Sequence, residues 1–237
     1  MSHAIAVIPA RGGSKRIPRK NIMDFFGKPM IAWTIEAAIQ SGCFQRVVVS
    51  TDDEEIATVA REYGAEVPFL RMQNADDYSP VSQATLTALT QAESHWNESY
   101  QTVVQLMANC PIRGAADIRS ALETFQKHDR VFQISCFRYG WMNPWWAARL
   151  AEDNKPEPVF SGANTKRSQD LETLYCPTGA IWIANVEQLR VADTFYGTGH
   201  VFEPVAWTSA VDIDDMDDLL MAKAVHLMLR EALGQSF

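Results

Sequence analysis

Short, nearly all-apolar runs alternate with amphipathic stripes as far as Phe137, and this rhythm limits the folds open to the chain more than any other feature. Ala4-Ile5-Ala6-Val7-Ile8 has no polar face, as expected of a strand buried on both sides. Gly27-Lys28-Pro29 then opens a helix whose apolar positions Ile31, Ile35, Ala38 and Ile39 form one stripe, and Gly42 stops it. Arg46 to Ser50 reads as the second strand. Asp52, Asp53, Glu54 and Glu55 crowd acid at the start of the next helix, where the macrodipole favours it.

Further strands are expected at Glu66–Leu70, Thr102–Met107 and Val131–Phe137. A polar stretch with Asp76, Asp77 and Pro80 leads into a helix through Ala84, Leu86, Leu89 and Ala92, and a second helix spans Ala115–His128. Alternation of this kind predicts an α/β fold with a doubly wound, mostly parallel sheet. The rhythm breaks between Tyr139 and Asp170, a segment rich in Trp and Pro that reads as a functional insertion or interaction arm. Order returns at Gly179–Ile183 and Val201–Trp207, and a helix from about Met216 to Leu233 closes the chain. All 237 residues are expected to form a single domain carrying that arm.

Lys plus Arg number 21 against 29 Asp plus Glu, a net charge of −8, which argues against a general nucleic-acid or membrane-surface binder. No apolar run approaches the ~18–20 residues needed to cross a bilayer. The stretch Met1–Ala10 lacks the basic region and cleavage site of a signal peptide. Cys43, Cys110, Cys136 and Cys176 form no CxxC pair and no zinc-spaced cluster, so they read as reduced thiols of a cytoplasmic protein.

Against this acidic background, one loop is basic. Arg11, Lys15, Arg16, Arg19 and Lys20 follow the first strand, with Lys28 just beyond, at the carboxyl end where α/β sheets bind ligands. Gly12 and Gly13 would let backbone approach a phosphate chain. The loop is neither a Walker A loop nor GxGxxG. A second signal is Val211-Asp212-Ile213-Asp214, whose acids would share one face of an extended segment and suit a hard divalent cation. Asp215, Asp217 and Asp218 read instead as acids opening the last helix. Trp145 and Trp146 read as core or interface residues.

Pro9-Ala10-Arg11-Gly12-Gly13-Ser14-Lys15, with Lys20-Asn21, resembles the signature of the acylneuraminate cytidylyltransferases, the synthetases of CMP-sialic acid and of its pseudaminic and legionaminic relatives. The resemblance continues through Ser50-Thr51-Asp52, Leu70-Arg71, Ser82, Pro111-Ile112-Arg113, Gly179-Ala180-Ile181 and Asp212-Ile213-Asp214. It implies a nucleotide-diphospho-sugar-transferase-like fold and transfer of a cytidylyl group from CTP to a nine-carbon α-keto sugar acid. It also implies that Arg11, Gly12, Gly13, Ser14, Lys15 and Lys20 meet the phosphates, that Asn21 holds the nucleotide, and that Arg71 and Ser82 contact cytosine or ribose. Asp212 and Asp214 would hold Mg2+, with Arg11, Lys20 and Asp214 the catalytic candidates, although the proton acceptor stays open. The resemblance further implies a homodimer, with an arm near 139–170 helping to build the other subunit's sugar site.

Departures from the family pattern fall at sugar-facing positions. Met107 stands in place of glutamine, Cys176 and Thr178 in place of arginine and asparagine, and one arginine is lost in Arg167-Ser168-Gln169-Asp170-Leu171. Met107, Arg167, Gln169, Cys176 and Thr178 are therefore the substrate-binding candidates, and the changes suit a pseudaminic- or legionaminic-type acid better than N-acetylneuraminate. The rival readings are a nucleotidyltransferase for another sugar or base, and a regulatory nucleotide-binding protein without sugar chemistry.

Overall fold

A computed structural model of the chain describes residues 3–71, 80–232 and 234. In chain order the elements are β1 (Ala4–Pro9), the short strands β2 (Asp24–Phe25) and β3 (Lys28–Pro29), α1 (Met30–Ser41), β4 (Arg46–Ser50), α2 (Glu54–Glu62), α3 (Val81–Trp96), β5 (Thr102–Gln105) and α4 (Ala115–Lys127). They continue with β6 (Phe132–Arg138), β7 (Ala148–Leu150), β8 (Pro156–Pro158), β9 (Tyr175–Asn185), α5 (Val186–Ala192), β10 (Val201–Pro204) and α6 (Met216–Ala232). Asp76 and Asp77 lie outside the described residues. Among the described residues no helix is long and apolar enough to cross a membrane.

Six strands form the main sheet in the order β10-β6-β9-β5-β1-β4. β1 runs parallel to β4 and β5, and β10 parallel to β6, while β9 is antiparallel to both β5 and β6. The sheet is thus mostly parallel, as the alternation predicts, with one reversed strand after the irregular segment. This reversal gathers the site. The carboxyl ends of β1, β4 and β5 meet at one edge of the sheet, and the amino end of β9 arrives at the same edge, where Pro177 pairs with Cys136 near the end of β6.

Alternate residues of β1 serve two cores. Ala4, Ala6 and Ile8 pack with Ile31, Ile35, Ile56 and Ile118 from α1, α2 and α4. Ile5 and Val7 pack on the other face with Leu89 of α3, Leu189 of α5 and Phe195. A third cluster sets the Asp212–Asp214 segment. Val211 and Ile213 bury themselves beside Ile17 of the basic loop, Phe25, and Leu219 and Val225 of α6. Each such burial contributes about 1.5–3 kcal/mol. With Val211 and Ile213 turned inward, Asp212 and Asp214 turn the other way together.

Several elements differ from the sequence expectation: Lys28 and Pro29 form β3 instead of opening α1, and β10 ends at Pro204 rather than Trp207. The strand expected at Glu66–Leu70 is a single bridge between Val48 and Glu66. Glu66 donates to Val47 O at 2.8 Å, but Pro68 follows and has no N–H with which to extend the ladder. β9 spans Tyr175–Asn185 rather than the five residues expected. α5 was not expected at all; Asn185 caps it by accepting from the Gln188 N–H at 3.1 Å. Within 139–170, β7 and β8 form an exposed hairpin; Trp146 ties the segment to itself by donating to Ala163 O, and Trp145 ties it to the chain just beyond by donating to Glu172 O.

Candidate active site

The loop after β1 is fixed at several points. Ala10 N–H donates to Ser50 O at 2.9 Å, continuing the register with β4. Buried Asn21 donates from Nδ2 to Arg11 O at 2.9 Å, which folds the loop back on itself. Gly12 N–H donates to Asp52 Oδ1 at 2.9 Å. A Cβ on Gly12 would lie 2.6 Å from Asp53 Oδ2, so glycine is required by that close approach, whereas nothing lies within 4 Å of a Cβ built on Gly13. Ser14 N–H donates to Gly12 O at 3.0 Å.

Asp53 works on two elements at once. Its Oδ1 caps α2 by accepting from the Glu55 and Ile56 N–H groups, and its Oδ2 accepts from Arg19 at 2.5 Å. The Arg19 hydrogen bond holds the Asp53 carboxyl below the usual carboxylate range, with the helix N–H groups adding to the effect. The acids at the start of α2, expected to serve the helix dipole, therefore also clamp the loop. Arg19, which also pairs with Glu55, is committed to that clamp. Lys28 lies apart from the loop cations: it pairs with Glu36 at 2.6 Å and sits 4.7 Å over the Trp33 ring.

Arg71 is buried, and its N–H donates to Thr51 O at 2.7 Å beside the same loop. Burial lowers its guanidinium pKa, opposed by the charge of Asp52 and reinforced by that of Arg11. Its Nε has no hydrogen-bond partner among the described residues. Ser82 is buried in the first turn of α3.

The acid pair and the basic loop meet directly. Lys20 Nζ donates to Asp214 Oδ1 at 3.0 Å and to Ile213 O at 2.7 Å, and Arg16 pairs with Asp214 Oδ2 at 2.7 Å. Between the acids stands buried Asn109, whose Nδ2 donates to Asp212 Oδ1, to Ile213 O at 2.9 Å and to Asp214 Oδ1 at 3.4 Å. Burial, then the neighbouring Asp214 charge, pushes the Asp212 carboxyl up to about 6. Burial also raises Asp214, but hydrogen bonds and charge from Lys20 and Arg16 outweigh it and hold that carboxyl below its usual range. Asp215 and Asp218 cap α6, as expected: Asp218 Oδ2 accepts from the Asp214 and Asp215 N–H groups, and Asp215 Oδ1 from those of Asp217 and Asp218.

Among the described residues no group of three or more His, Cys, Asp or Glu side chains could hold a metal ion. Two carboxylates on one side of a bridging amide, one of them buried beside its neighbour's charge, nevertheless fit a hard cation that keeps most of its waters and takes phosphate oxygens.

Asp212 also lines a 330 Å³ cavity together with Phe137, Cys176, Thr178, Gly179 and Trp207. The sugar-facing candidates divide here. Cys176 and Thr178 line this cavity, but the Thr178 hydroxyl is already spent, donating to Ala210 O at 3.0 Å. Met107 is not in this lining but packs against Gly179, which is: a Cβ on Gly179 would fall 2.7 Å from Met107 Cγ. Gln169 and Ser168 line a second, 770 Å³ cavity with Trp141, Trp146 and Trp207. Arg167 is in the lining of neither; it forks onto Asp170 at 2.8 and 3.1 Å.

Two residues were missed as site residues in the sequence. Asn109 follows β5 and carries no motif of its own. Arg113 is fully buried and donates from Nη1 to Ala180 O at 2.6 Å and Met107 O at 3.4 Å, bracing β9 against the loop after β5.

Comparison with known proteins agrees with this architecture. A family model described as cytidylyltransferase matches residues 5–205. The chain is 36% identical over 230 residues to a pseudaminic acid cytidylyltransferase of Campylobacter jejuni, covering 96% of this chain and 98% of that one. It is 34% identical over 242 residues to a CMP-N,N'-diacetyllegionaminic acid synthase of Legionella pneumophila, covering 97% and 98% of the two chains. The solved structure of a CMP:2-keto-3-deoxy-manno-octonic acid synthetase complexed with CTP shares the fold, with a TM-score of 0.65 at 18% identity over 96% of this chain and 99% of that one. On the family match and the extent of these relatives, the chain belongs to the cytidylyltransferases, a family of nucleotidyltransferase enzymes.

Proposed function

We propose that this enzyme transfers the cytidylyl group of CTP to the anomeric hydroxyl of a nine-carbon α-keto sugar acid, releasing pyrophosphate. The observation that carries the reading is the pairing of Lys20 and Arg16 with Asp214, which brings a phosphate-sized basic loop and an acid pair to one edge of the sheet. The names of the Campylobacter and Legionella relatives favour a sugar acid as acceptor.

In this reading the hydroxyl attacks the α-phosphorus in line, and the protein contributes mainly position and charge. Arg11, Gly12, Gly13, Ser14 and Lys15 receive the phosphates on a loop that Asn21 and Asp53 keep in shape. Lys20 neutralises charge on the departing pyrophosphate. Arg71 and Ser82 face the cytosine and ribose. Asp212 and Asp214 would hold Mg2+, with Asn109 keeping the two carboxylates in register. That ion would screen the triphosphate and lower the pKa of the attacking hydroxyl. Lys20 and Arg16 hold Asp214 ionised, as a cation ligand must be, and the proton of the attacking hydroxyl passes to solvent water.

The whole chain acts as one cytoplasmic domain and as a homodimer in which the 139–170 arm completes the other subunit's sugar site. Two features support that assembly: Arg167 lines neither cavity of its own subunit, and Trp141 is 82% exposed. The acceptor is a deoxy, acylamino acid of the pseudaminic or legionaminic type. The test is CTP turnover against sialic, legionaminic, pseudaminic and octulosonic acids.

A further inference from the structure

The 330 Å³ cavity is lined by chemically different groups: Asp212, Asp218 and Thr178 are polar, and Phe137, Trp207 and Met221 supply apolar surface. Trp207 and Met221 are large apolar side chains left 52% and 42% exposed, so neither is consumed by the core. Trp207 also lines the 770 Å³ cavity and so stands as a partition between the two.

The partition is anchored. Trp207 begins a turn in which Ala210 N–H donates back to Trp207 O at 3.2 Å, and the Thr178 hydroxyl ties Ala210 O to β9. Asp212 follows directly on the buried Val211. Met221 stands on α6 one residue before Ala222, which is buried in the same cluster as Val211. The indole, the thioether and the carboxylate are therefore held by connected rigid parts.

We infer that Trp207, Met221 and Phe137 form the specificity-determining wall of the acceptor site, receiving the methyl and acylamino substituents of the sugar acid. This rests on the reading above that the acceptor is a nine-carbon sugar acid. It moves the origin of the preference from Met107, which is outside the cavity lining, and Thr178, whose hydroxyl donates to Ala210 O, to three residues the family motifs do not include. Phe137 and Met221 offer no strong hydrogen-bond partner to the hydroxyls of a glycerol tail, and Trp207 offers only its single indole N–H, so most of that tail loses hydration without compensation, whereas a methyl group gains burial. Apolar pockets discriminate modestly against added hydroxyls, by about a hundredfold at most.

The test compares kcat/KM for a methyl-terminated 5,7-diacylamino nine-carbon acid with that for N-acetylneuraminate, in the full chain and in Trp207→Ala, Trp207→Phe and Met221→Thr. The KM for CTP is measured in parallel. The expected result is that Trp207→Ala lowers the preference for the methyl-terminated acid at least roughly tenfold, through KM for the acid. Met221→Thr should lower it less, Trp207→Phe should retain most of it, and KM for CTP should hold in all three. An unchanged preference in both Trp207→Ala and Met221→Thr, or equal losses on both acids, would overturn the inference. Failure of the unaltered chain to couple CTP to either acid would instead overturn the reading on which it rests, and the two failures are told apart by that control.

Discussion

At Gly12 a methyl group would lie 2.6 Å from Asp53 Oδ2 and 2.9 Å from Asp53 Cβ, and Asp53 cannot retreat without releasing either the α2 cap or Arg19. Gly12→Ala should therefore cost roughly 1–3 kcal/mol of stability and raise the KM for CTP. Thermal melting and steady-state kinetics check this; an unshifted melting temperature with normal kinetics would contradict the clamp. The acid pair makes a sharper demand. Asp212→Asn and Asp214→Asn should each cut turnover at least about a hundredfold while the fold persists, as expected if each removes several kcal/mol of charge stabilisation. A chelator should abolish the activity of the unaltered enzyme, and Mg2+ should restore it. Either variant at full activity in chelator would end the metal assignment. These two acids were legible because alternation in an extended segment puts them on one face and the apolar Val211 and Ile213 on the other. Asn109 and Arg113 were not legible as site residues: Arg113 is marked only within Pro111-Ile112-Arg113, and apart from Met107 O their partners are carbonyls and carboxylates 67 to 105 positions away.

Among the elements, β4 is tied to its surroundings by one cation. Arg46 pairs with Glu66 at 3.1 Å and Glu98 at 2.7 Å and lies 4.6 Å over the Trp96 ring, joining β4 to the bridge residue and to the end of α3. The Arg46 hydrogen bond, then that of Tyr100, holds the Glu98 carboxyl at about 2. A carboxyl so depressed contributes stability that is fully present above its unfolded pKa of about 4.3 and is lost as pH falls towards 2. Arg46→Met should accordingly lower the melting temperature at pH 7 and lower it less at pH 3. Equal losses at both pH values would contradict this account. The elements themselves were largely legible, since strand and helix periods differ and the β1 run has no polar face. The direction of β9 was not, because a period of two carries no sign of which way a strand runs. Pro68 could have warned that the expected third strand would stop at one bridge. Asn185 with Gln188 three residues later could have marked α5.

For the molecule as a whole, the parallel strands, the reversed β9 and the α6 cluster converge on one edge of the sheet, and the 330 Å³ cavity opens beside Asp212 there. The arm stands outside that core with Trp141 and Leu150 exposed. Light scattering on the purified chain should give twice its 26.6 kDa mass, and a charged residue at Trp141 should shift it towards the monomer with loss of turnover. A fully active monomer would show that the arm completes no partner site. The most direct test of the function is pyrophosphate release by the purified enzyme with Mg2+, crossing the four nucleoside triphosphates with N-acetylneuraminate and a 5,7-diacylamino nine-carbon acid. Release is expected from CTP alone, with kcat/KM at least roughly tenfold higher for the diacylamino acid, a difference of only ~1.4 kcal/mol. Release from another triphosphate at the same rate, or none from CTP with either acid, would contradict it.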